Sequence, residues 1–259
     1  MQELVKCSRE GAVVYLTICR PERMNALSLP TLEAFAAHVD ALLPDRSARV
    51  LVVRGEGEKA FCAGADLKER RTMNDEETRR FIRTIRSTFR ALELFPRPTI
   101  AMINGLALGG GCELALSCDI RIMSETATIG LTETRLAIIP GAGGTQRLAR
   151  LVGPGRAKEM IFTGRRCSAA DALRIGLVEQ VCAPEDLADA VRAMAEAICK
   201  GGPVALEQAK FAVNRGLEVD LDTGLAIEGK AYEVLLPTED RQEALRAFAE
   251  KRPPRFQGR

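Results

Sequence analysis

Glu113 is the residue best placed for proton chemistry in this chain of 259 residues. It follows a triplet of glycines at positions 109–111 and is the only charged residue between Thr99 and Asp119. The surrounding runs are apolar, and burying an ionised carboxylate in such surroundings is costly, so its pKa tends to rise. A raised pKa suits proton transfer near neutral pH, which makes Glu113 a candidate general acid or base.

Two further segments could complete a site around Glu113. Residues 63–68 form a glycine-containing turn before a helix, as residues 109–113 do. Helix starts present free backbone N–H groups, and two such groups could hold one carbonyl oxygen as an oxyanion hole. Glu133 lies shortly before another glycine-rich turn, residues 140–144. Two neighbouring carboxylates could share a water and pass protons in two linked steps.

Each of these features also has an ordinary structural interpretation. The glycine triplet can serve close helix–strand packing, Glu113 can complement a helix dipole, and Glu133 can be a salt-bridge partner in a loop. Asp66 is predicted to be an N-cap rather than a catalytic group. Nucleotide-binding interpretations fail, because Gly141 is not followed by the lysine of a Walker loop, and Gln146 occupies a required glycine position.

The composition argues against several other classes of protein. A hydrophobic content of 46% allows a full core, and a net charge of +2 creates no general attraction for nucleic acid or anionic membranes. The eight cysteines form no CxxC pair and are interpreted as small buried residues. The single histidine, His38, has no supporting motif for hydrolysis or metal binding. No signal peptide or transmembrane stretch is recognised, so we expect a cytoplasmic location.

Strands and helices alternate over the first part of the chain. Short crossovers between them predict an α/β architecture. The predicted strands are 4–8, 13–19, 50–54, 100–103, 119–123 and 128–129, and the predicted helices are 28–43, 67–70, 75–94, 113–118 and one from 145. Three further helices are predicted in series, at 203–216, 222–236 and 238–251. We therefore expect a core of residues 1–200 and a helical C-terminal arm of residues 201–259.

Four motifs, in order along the chain, resemble the crotonase (enoyl-CoA hydratase/isomerase) superfamily. They are RPERMNAL at 20–27, FCAGADL at 61–67, NGLALGGGCEL at 104–114 and IPGAGGTQRL at 139–148. Together they cover essentially the whole chain and are specific as an ordered set. DLKER at 66–70, LAIIP at 136–140 and EKRPPRF at 250–256 are similar to the AU-RNA-binding/methylglutaconyl-CoA hydratase branch.

The resemblance implies a fold and a set of residue roles. The fold would be a crotonase-like (ClpP/crotonase) spiral of repeated β-β-α units, with the arm supporting a homotrimer or homohexamer. The N–H groups of Ala65 and Gly110 would hold the thioester oxygen of an acyl-CoA. Glu113 would help activate a water for attack at Cβ, and Glu133 would supply the Cα proton. The remaining implied contacts are CoA binding by Ala63, Gly64, Asp66, Leu67 and Lys68, and support of the water site by Gly141.

The presence of both glutamates favours hydration of a 2-trans-enoyl-CoA to a 3-hydroxyacyl-CoA. This would be a hydro-lyase of fatty acid metabolism that needs neither metal nor cofactor, since polarising the thioester makes Cβ electrophilic. A methylglutaconyl-CoA hydratase is the alternative and would require a cation for the distal carboxylate of its substrate.

An RNA-binding hydratase homologue is the remaining alternative. The helix that is lysine-rich in the RNA-binding relative corresponds here to residues 31–46, which contain no lysine. A separate stripe of arginines at helical spacing is interpreted as a solvated helix face; it consists of Arg79, Arg83, Arg86 and Arg90. Nucleic acid is therefore not an expected partner.

Overall fold

The structure, a computed structural model, describes residues 3–259. Its strands are β1 (Val5–Glu10), β2 (Val13–Ile18), β3 (Val50–Gly55), β4 (Ala60–Cys62), β5 (Thr99–Ile103), β6 (Leu106–Leu108), β7 (Ile120–Ser124), β8 (Thr128–Gly130), β9 (Cys167–Ser168) and β10 (Gln180–Cys182). Its α-helices are α1 (Leu29–Leu42), α2 (Leu67–Arg70), α3 (Asp75–Glu93), α4 (Gly110–Leu116), α5 (Gly144–Val152), α6 (Pro154–Thr163), α7 (Ala169–Arg174), α8 (Leu187–Cys199), α9 (Pro203–Gly216), α10 (Leu221–Glu233) and α11 (Glu239–Ala249). Short 3₁₀ helices span Pro21–Arg23, Glu133–Leu136 and Pro184–Asp186.

The strands form two sheets that are built from repeated strand pairs. The larger sheet has the order β1-β2-β3-β5-β7-β10 and the smaller one the order β4-β6-β8-β9. The pairs β3–β4, β5–β6 and β7–β8 each place their first strand in the larger sheet and their second in the smaller. Within both sheets these successive strands are parallel, and helices follow each pair. The predicted α/β spiral of β-β-α units is confirmed.

The central strands of the larger sheet are apolar on both faces. In β2, Val14 and Leu16 belong to the main core, whereas Val13 and Tyr15 belong to a second core on the opposite face. Successive residues of a strand point to opposite faces, so a sheet that is covered on both sides requires an uninterrupted apolar run. The cover on the second face is α8, which contributes Leu187, Val191 and Ala195.

Most helix boundaries follow from local capping. The Ser28 hydroxyl accepts a hydrogen bond from the Thr31 N–H at 3.3 Å, and a reciprocal capping box joins Asn74 and Glu77 at the start of α3. The predicted start of the helix at Glu113 is wrong, because α4 begins three residues earlier, at Gly110. The elements between α5 and α9 have no counterpart among those predicted from the sequence.

The solvent exposure of the cysteines varies more than expected, and the single histidine is half-buried. Cys7 is exposed, and Cys182 and Cys199 are half-buried, so the prediction of buried cysteines holds only for the other five. The half-buried His38 places its Nε2 3.1 Å from the Val5 carbonyl oxygen. Within residues 3–259, no helix is both long enough and apolar enough to span a bilayer.

The three predicted C-terminal helices are present as α9, α10 and α11. A partly buried ion pair fastens α9 to the sheets, with Lys210 Nζ 2.7 Å from Asp119 Oδ2 and 3.2 Å from the Arg97 carbonyl oxygen. The same Asp119 oxygen accepts the Thr99 N–H at 2.7 Å, which ties the pair to β5. The division into a core of residues 1–200 and an arm of residues 201–259 stays a prediction.

Removing the Lys210 ammonium should loosen this attachment. We expect Lys210→Met to lower the free energy of unfolding by about 2 kcal/mol, because Asp119 loses its cation in a partly buried site. Urea denaturation measures the change. Lys230→Met is the control, since the exposed Lys230–Glu233 pair should contribute less than about 0.5 kcal/mol. Equal losses in the two variants would contradict the anchoring role of Lys210.

Candidate active site

One cavity of about 560 Å³ brings together the residues singled out from the sequence. Three adjacent parallel strands of the smaller sheet deliver them, because β4 leads into residues 63–66, β6 into the start of α4, and β8 toward Glu133. Carboxyl ends of parallel strands meet at one edge of a sheet, where ligands commonly bind. The cavity walls include Ala63, Gly64, Ala65, Leu67, Gly110, Glu113, Glu133 and Gly141.

Glu113 is almost fully buried on α4, with 2% of its surface exposed. Its Oε1 accepts hydrogen bonds from the N–H groups of Ala142 at 2.7 Å and Gly144 at 2.8 Å. Burial raises the pKa of Glu113, and the two backbone donors oppose that rise by stabilising the carboxylate. Glu113 does lie in the first turn of α4, as the helix-dipole interpretation requires, but its burial shows that it is not a solvated group.

Glu133 lies in a different environment at the start of its 3₁₀ helix. It is 9% exposed, and its buried Oε2 has no hydrogen-bond partner within residues 3–259. Burial raises the pKa of Glu133 to about 7, and the negative charge of Glu113 adds to the rise. No ion pair of the described residues includes Glu133, so it is not a loop salt-bridge partner. Both carboxyl groups thus have a raised pKa, but their surroundings differ, since two backbone N–H groups donate to Glu113 Oε1 while Glu133 Oε2 has no partner within residues 3–259.

Two backbone N–H groups lie close together in the wall of the same cavity. The N–H groups of Ala65 and Gly110 have no acceptor in the part of the chain that the structure describes. Ala65 N lies 3.6 Å from the position that a Cβ on Gly110 would take, so the two peptide groups are close neighbours. Hydrogen bonds of Leu27 with Gly64 and Asp66 on either side fix the Ala65 peptide. The pair has the form of an oxyanion hole.

The glycine triplet serves both packing and chain direction. Gly109 has a φ of 52°, a left-handed conformation that glycine adopts without a steric penalty. A Cβ on Gly111 would collide with the backbone carbonyl of Cys62 on β4. The packing interpretation is therefore correct for Gly111, while Gly109 turns the chain so that Gly110 can present its N–H.

The turn at residues 140–144 is held from outside by two arginines. Arg86 donates to the Gly141 carbonyl oxygen through Nε at 3.2 Å and Nη2 at 3.0 Å, and Arg147 donates to the Ala142 carbonyl oxygen at 2.8 Å. Gly141 lines the cavity and precedes α5 by three residues, and its support of a water site stays a prediction. The donors to Glu113 are Ala142 and Gly144, which the sequence reasoning missed.

The arginine stripe on α3 is only partly a solvated face. Arg79 and Arg83 are exposed, as predicted. Arg86 contacts the turn described above, and Arg90 pairs with Glu93 at 2.7 Å. Spacing alone could not reveal these contacts, because their partners come from distant parts of the chain.

Only part of the segment expected to run along CoA, residues 63–68, lines the cavity. Asp66 accepts hydrogen bonds from the N–H groups of Lys68 and Glu69, which confirms the predicted N-cap of α2. Its other oxygen pairs with Arg20 at 2.9 Å, so this carboxylate is used within the protein. Lys68 is exposed and lies outside the cavity walls. CoA contacts by these side chains stay predictions.

Comparisons with known proteins agree on one family. The profile of the enoyl-CoA hydratase/isomerase family matches residues 8–259. A protein of Clostridium acetobutylicum named short-chain-enoyl-CoA hydratase is 46% identical over 94% of this chain and 94% of its own length. Human mitochondrial methylglutaconyl-CoA hydratase is 47% identical over 95% of this chain and 74% of its own length. The crystal structure of an enoyl-CoA hydratase from Bacillus anthracis is 49% identical, with a TM-score of 0.97 over 99% of this chain and 100% of that chain.

The chain belongs to the enoyl-CoA hydratase/isomerase family. The predictions of a crotonase-like fold and of an enoyl-CoA hydratase of the hydro-lyase class are confirmed. The roles of individual residues rest on the geometry described above.

Replacing Glu133 by glutamine should stabilise the fold at alkaline pH. The folded protein raises the pKa of Glu133 from its ordinary 4.5 to about 7, so ionisation costs stability as the pH rises between these values. Glutamine is neutral throughout. At pH 8 we expect Glu133→Gln to exceed the wild type by up to about 3 kcal/mol in the free energy of unfolding, and near pH 4.5 by almost nothing. Urea denaturation at both pH values measures this; a difference independent of pH would contradict the raised pKa.

Proposed function

We propose that this cavity hydrates 2-trans-enoyl-CoA thioesters to 3-hydroxyacyl-CoA through Glu113 and Glu133. The observation that carries the proposal is the pairing of two buried, differently tuned carboxyl groups with two free backbone N–H groups in one cavity. Relatives and solved structures named as enoyl-CoA hydratases support hydration. Hydration requires one group to take a proton from water and another to give one to carbon, which suits this pair.

The N–H groups of Ala65 and Gly110 would bind the thioester oxygen. Their dipoles stabilise the negative charge that develops on this oxygen when the enolate forms. The interaction is stronger in the transition state than with the neutral thioester, so it accelerates the reaction rather than merely tightening binding. Ala63, Gly64 and Leu67 line the same cavity, and the CoA portion would run along them.

The two carboxyl groups would divide the proton transfers. As the water oxygen bonds to Cβ, one water proton passes to the Glu113 carboxylate, which its two backbone donors favour in the ionised state. The Cα–H bond forms with the proton that Glu133 holds below about pH 7. The elements of one water are thereby added to the double bond. Return of a proton from Glu113 to Glu133, through solvent, restores the starting state.

Both glutamates should be required for turnover. We expect Glu113→Gln and Glu133→Gln each to lower kcat for hydration of crotonyl-CoA about 10²- to 10⁴-fold, because each removes one proton transfer. Loss of the ultraviolet absorbance of the conjugated thioester follows the reaction, and circular dichroism checks the fold. Glu125→Gln, at an exposed position, is the control. Near-normal turnover in a folded Glu113 or Glu133 variant would refute the mechanism.

We also propose that the reaction needs no metal or cofactor and belongs to cytoplasmic fatty acid metabolism. The proton steps above use only side chains and backbone groups of this chain, which supports the first part. Activity on crotonyl-CoA that survives dialysis against EDTA would agree with it. Relatives named for short-chain enoyl-CoA and for methylglutaconyl-CoA both match, so the acyl group must be determined experimentally.

We propose further that the arm assembles the chain into a trimer or hexamer. The helices α9–α11 expose large apolar side chains, which are costly to leave in water. The most exposed of them are Val213, Leu217, Leu221, Tyr232, Leu245 and Phe248.

Charges on this apolar surface should prevent assembly. We expect light scattering to give the mass of three or six chains for the wild type, and a smaller mass for the double variant Leu217→Glu/Phe248→Glu. Lys59→Glu, at an exposed site outside the arm, is the control and should assemble normally. A monomeric wild type, or a double variant of unchanged mass, would contradict the role of the arm.

A further inference from the structure

The first of the four sequence motifs, residues 20–27, lies behind the wall of the active-site cavity. Within residues 3–259, the cavity walls include none of its members. The motif contacts residues 63–66 instead, the segment that carries the Ala65 N–H of the oxyanion hole. Leu27 forms a parallel β-bridge with Ala65. One of the two oxyanion donors is therefore supported from behind by this motif.

The β-bridge determines the direction of the Ala65 N–H. Leu27 donates its N–H to the Gly64 carbonyl oxygen at 2.8 Å, and its own carbonyl oxygen accepts the Asp66 N–H at 2.9 Å. A residue flanked by two such bonds has its own N–H on the opposite side, so the Ala65 N–H is directed away from Leu27. A Cβ on Gly64 would lie 3.1 Å from Gly110 N. A shift of this segment would therefore change the spacing of the two oxyanion donors.

The Arg20 guanidinium ties the two sides of the bridge together. Its Nη2 lies 2.9 Å from Asp66 Oδ2, and its Nη1 donates to the Ala26 carbonyl oxygen. It thus joins the residue before Leu27 to the residue after Ala65. Both side chains are largely buried, with 13% of Arg20 and 12% of Asp66 exposed. Because the donors of a guanidinium have fixed directions, the two chain segments are held in one relative position.

The Asp66 carboxylate is held through both of its oxygens. Oδ1 accepts the N–H groups of Lys68 at 3.1 Å and Glu69 at 3.4 Å, while Oδ2 is bound by Arg20. Burial by itself would raise the pKa of Asp66, but the hydrogen bonds from Arg20 and from the two N–H groups outweigh it and lower the pKa. The carboxylate is therefore ionised at neutral pH, and its ion pair with Arg20 is intact there.

We propose that Arg20 and Asp66 are positioning residues that align the Ala65 N–H with the thioester oxygen. This inference rests on the proposed hydratase function and assigns its oxyanion hole an ion pair behind the cavity wall. The two side chains act through the Ala65 peptide and do not touch the substrate. A donor stabilises the developing enolate oxygen only at the correct distance and angle, so loss of the pair lowers kcat more than it raises KM.

Two CoA inhibitors separate the oxyanion hole from the rest of the site. Acetoacetyl-CoA ionises to an enolate whose oxygen can occupy the oxyanion hole, whereas S-butyl-CoA is a thioether without a carbonyl oxygen. In Arg20→Met, the inhibition constant of acetoacetyl-CoA should rise about 10- to 100-fold relative to that of S-butyl-CoA, because a displaced donor loses part of the effect of about 10²- to 10³-fold that a whole donor has. The kcat for crotonyl-CoA should fall by a similar factor, while KM changes less than about threefold. The ultraviolet band of the bound enolate should appear at higher pH than in the wild type.

The partner residue supplies a second and milder variant. Asp66→Asn keeps the N-cap, since asparagine caps helices as well as aspartate does, and removes the charged acceptor of Arg20. It should change the ratio of the two inhibition constants as Arg20→Met does. The double variant Arg20→Met/Asp66→Asn should be no worse than the more affected single variant, because the two side chains act as one unit. Arg20→Lys keeps the charge without the fork and should give an intermediate ratio.

Two controls separate positioning from general stability. Arg97→Met removes another buried arginine, which donates to the carbonyl oxygens of Leu42 and Leu43 at the far end of α1. It should lower the free energy of unfolding in urea and leave the ratio of the two inhibition constants unchanged. Arg174→Met breaks the exposed pair with Asp171 and should alter neither quantity.

The possible results are distinct. Equal weakening of both inhibitors in Arg20→Met or Asp66→Asn would assign the pair to CoA binding and overturn the proposal. An unchanged ratio in the folded variants, the same change in Arg97→Met, or failure of every Arg20 and Asp66 variant to fold would overturn it as well. If the wild type does not hydrate crotonyl-CoA, the proposed hydratase function itself fails; if it does so but the ratio is independent of Arg20 and Asp66, only the present inference fails.

Discussion

The burial of one hydrogen-bonded carboxylate constrains the rest of this structure. Glu113 can remain beneath the surface because Ala142 and Gly144 donate their backbone N–H groups to it. An unpaired charge at this position would cost several kcal/mol. The turn at residues 140–144 must therefore keep its shape, and the carbonyl groups of Gly141 and Ala142 are held by Arg86 and Arg147. Catalytic geometry and local stability depend on the same hydrogen bonds.

The repeated β-β-α units explain how distant segments reach this carboxylate. Each second strand joins the smaller sheet beside its predecessor, so consecutive units release their chains at neighbouring points. The unit of β4 supplies the Ala65 N–H, that of β6 supplies Gly110 and Glu113, and that of β8 supplies Glu133. A parallel sheet makes this possible, because all three chains leave at the same edge. The site is thus a product of the topology rather than of any single motif.

The sequence predicted those features that are encoded locally. Apolar runs and caps located most elements, and the isolation of Glu113 among apolar residues marked it as unusual. Glu133 carried no such local signal, since only the folded chain leaves its Oε2 without a partner. The start of α4 was misplaced because glycine is a poor helix former, and the contact of Gly111 with the Cys62 carbonyl is visible only in the fold. The donors Ala142 and Gly144 and the contact of Arg86 with the Gly141 carbonyl likewise depend on tertiary structure.

One polar atom in the active-site cavity has no partner within residues 3–259. It is the buried Oε2 of Glu133, although buried polar atoms are normally satisfied within a structure. The burial that leaves this oxygen without a donor also raises the pKa of Glu133 to about 7, and the negative charge of Glu113 adds to the rise. A water molecule that bonds to Oε2 would relieve the cost of the missing partner. The same burial would thus favour both the protonated carboxyl group and the binding of the water that the proposed hydration consumes.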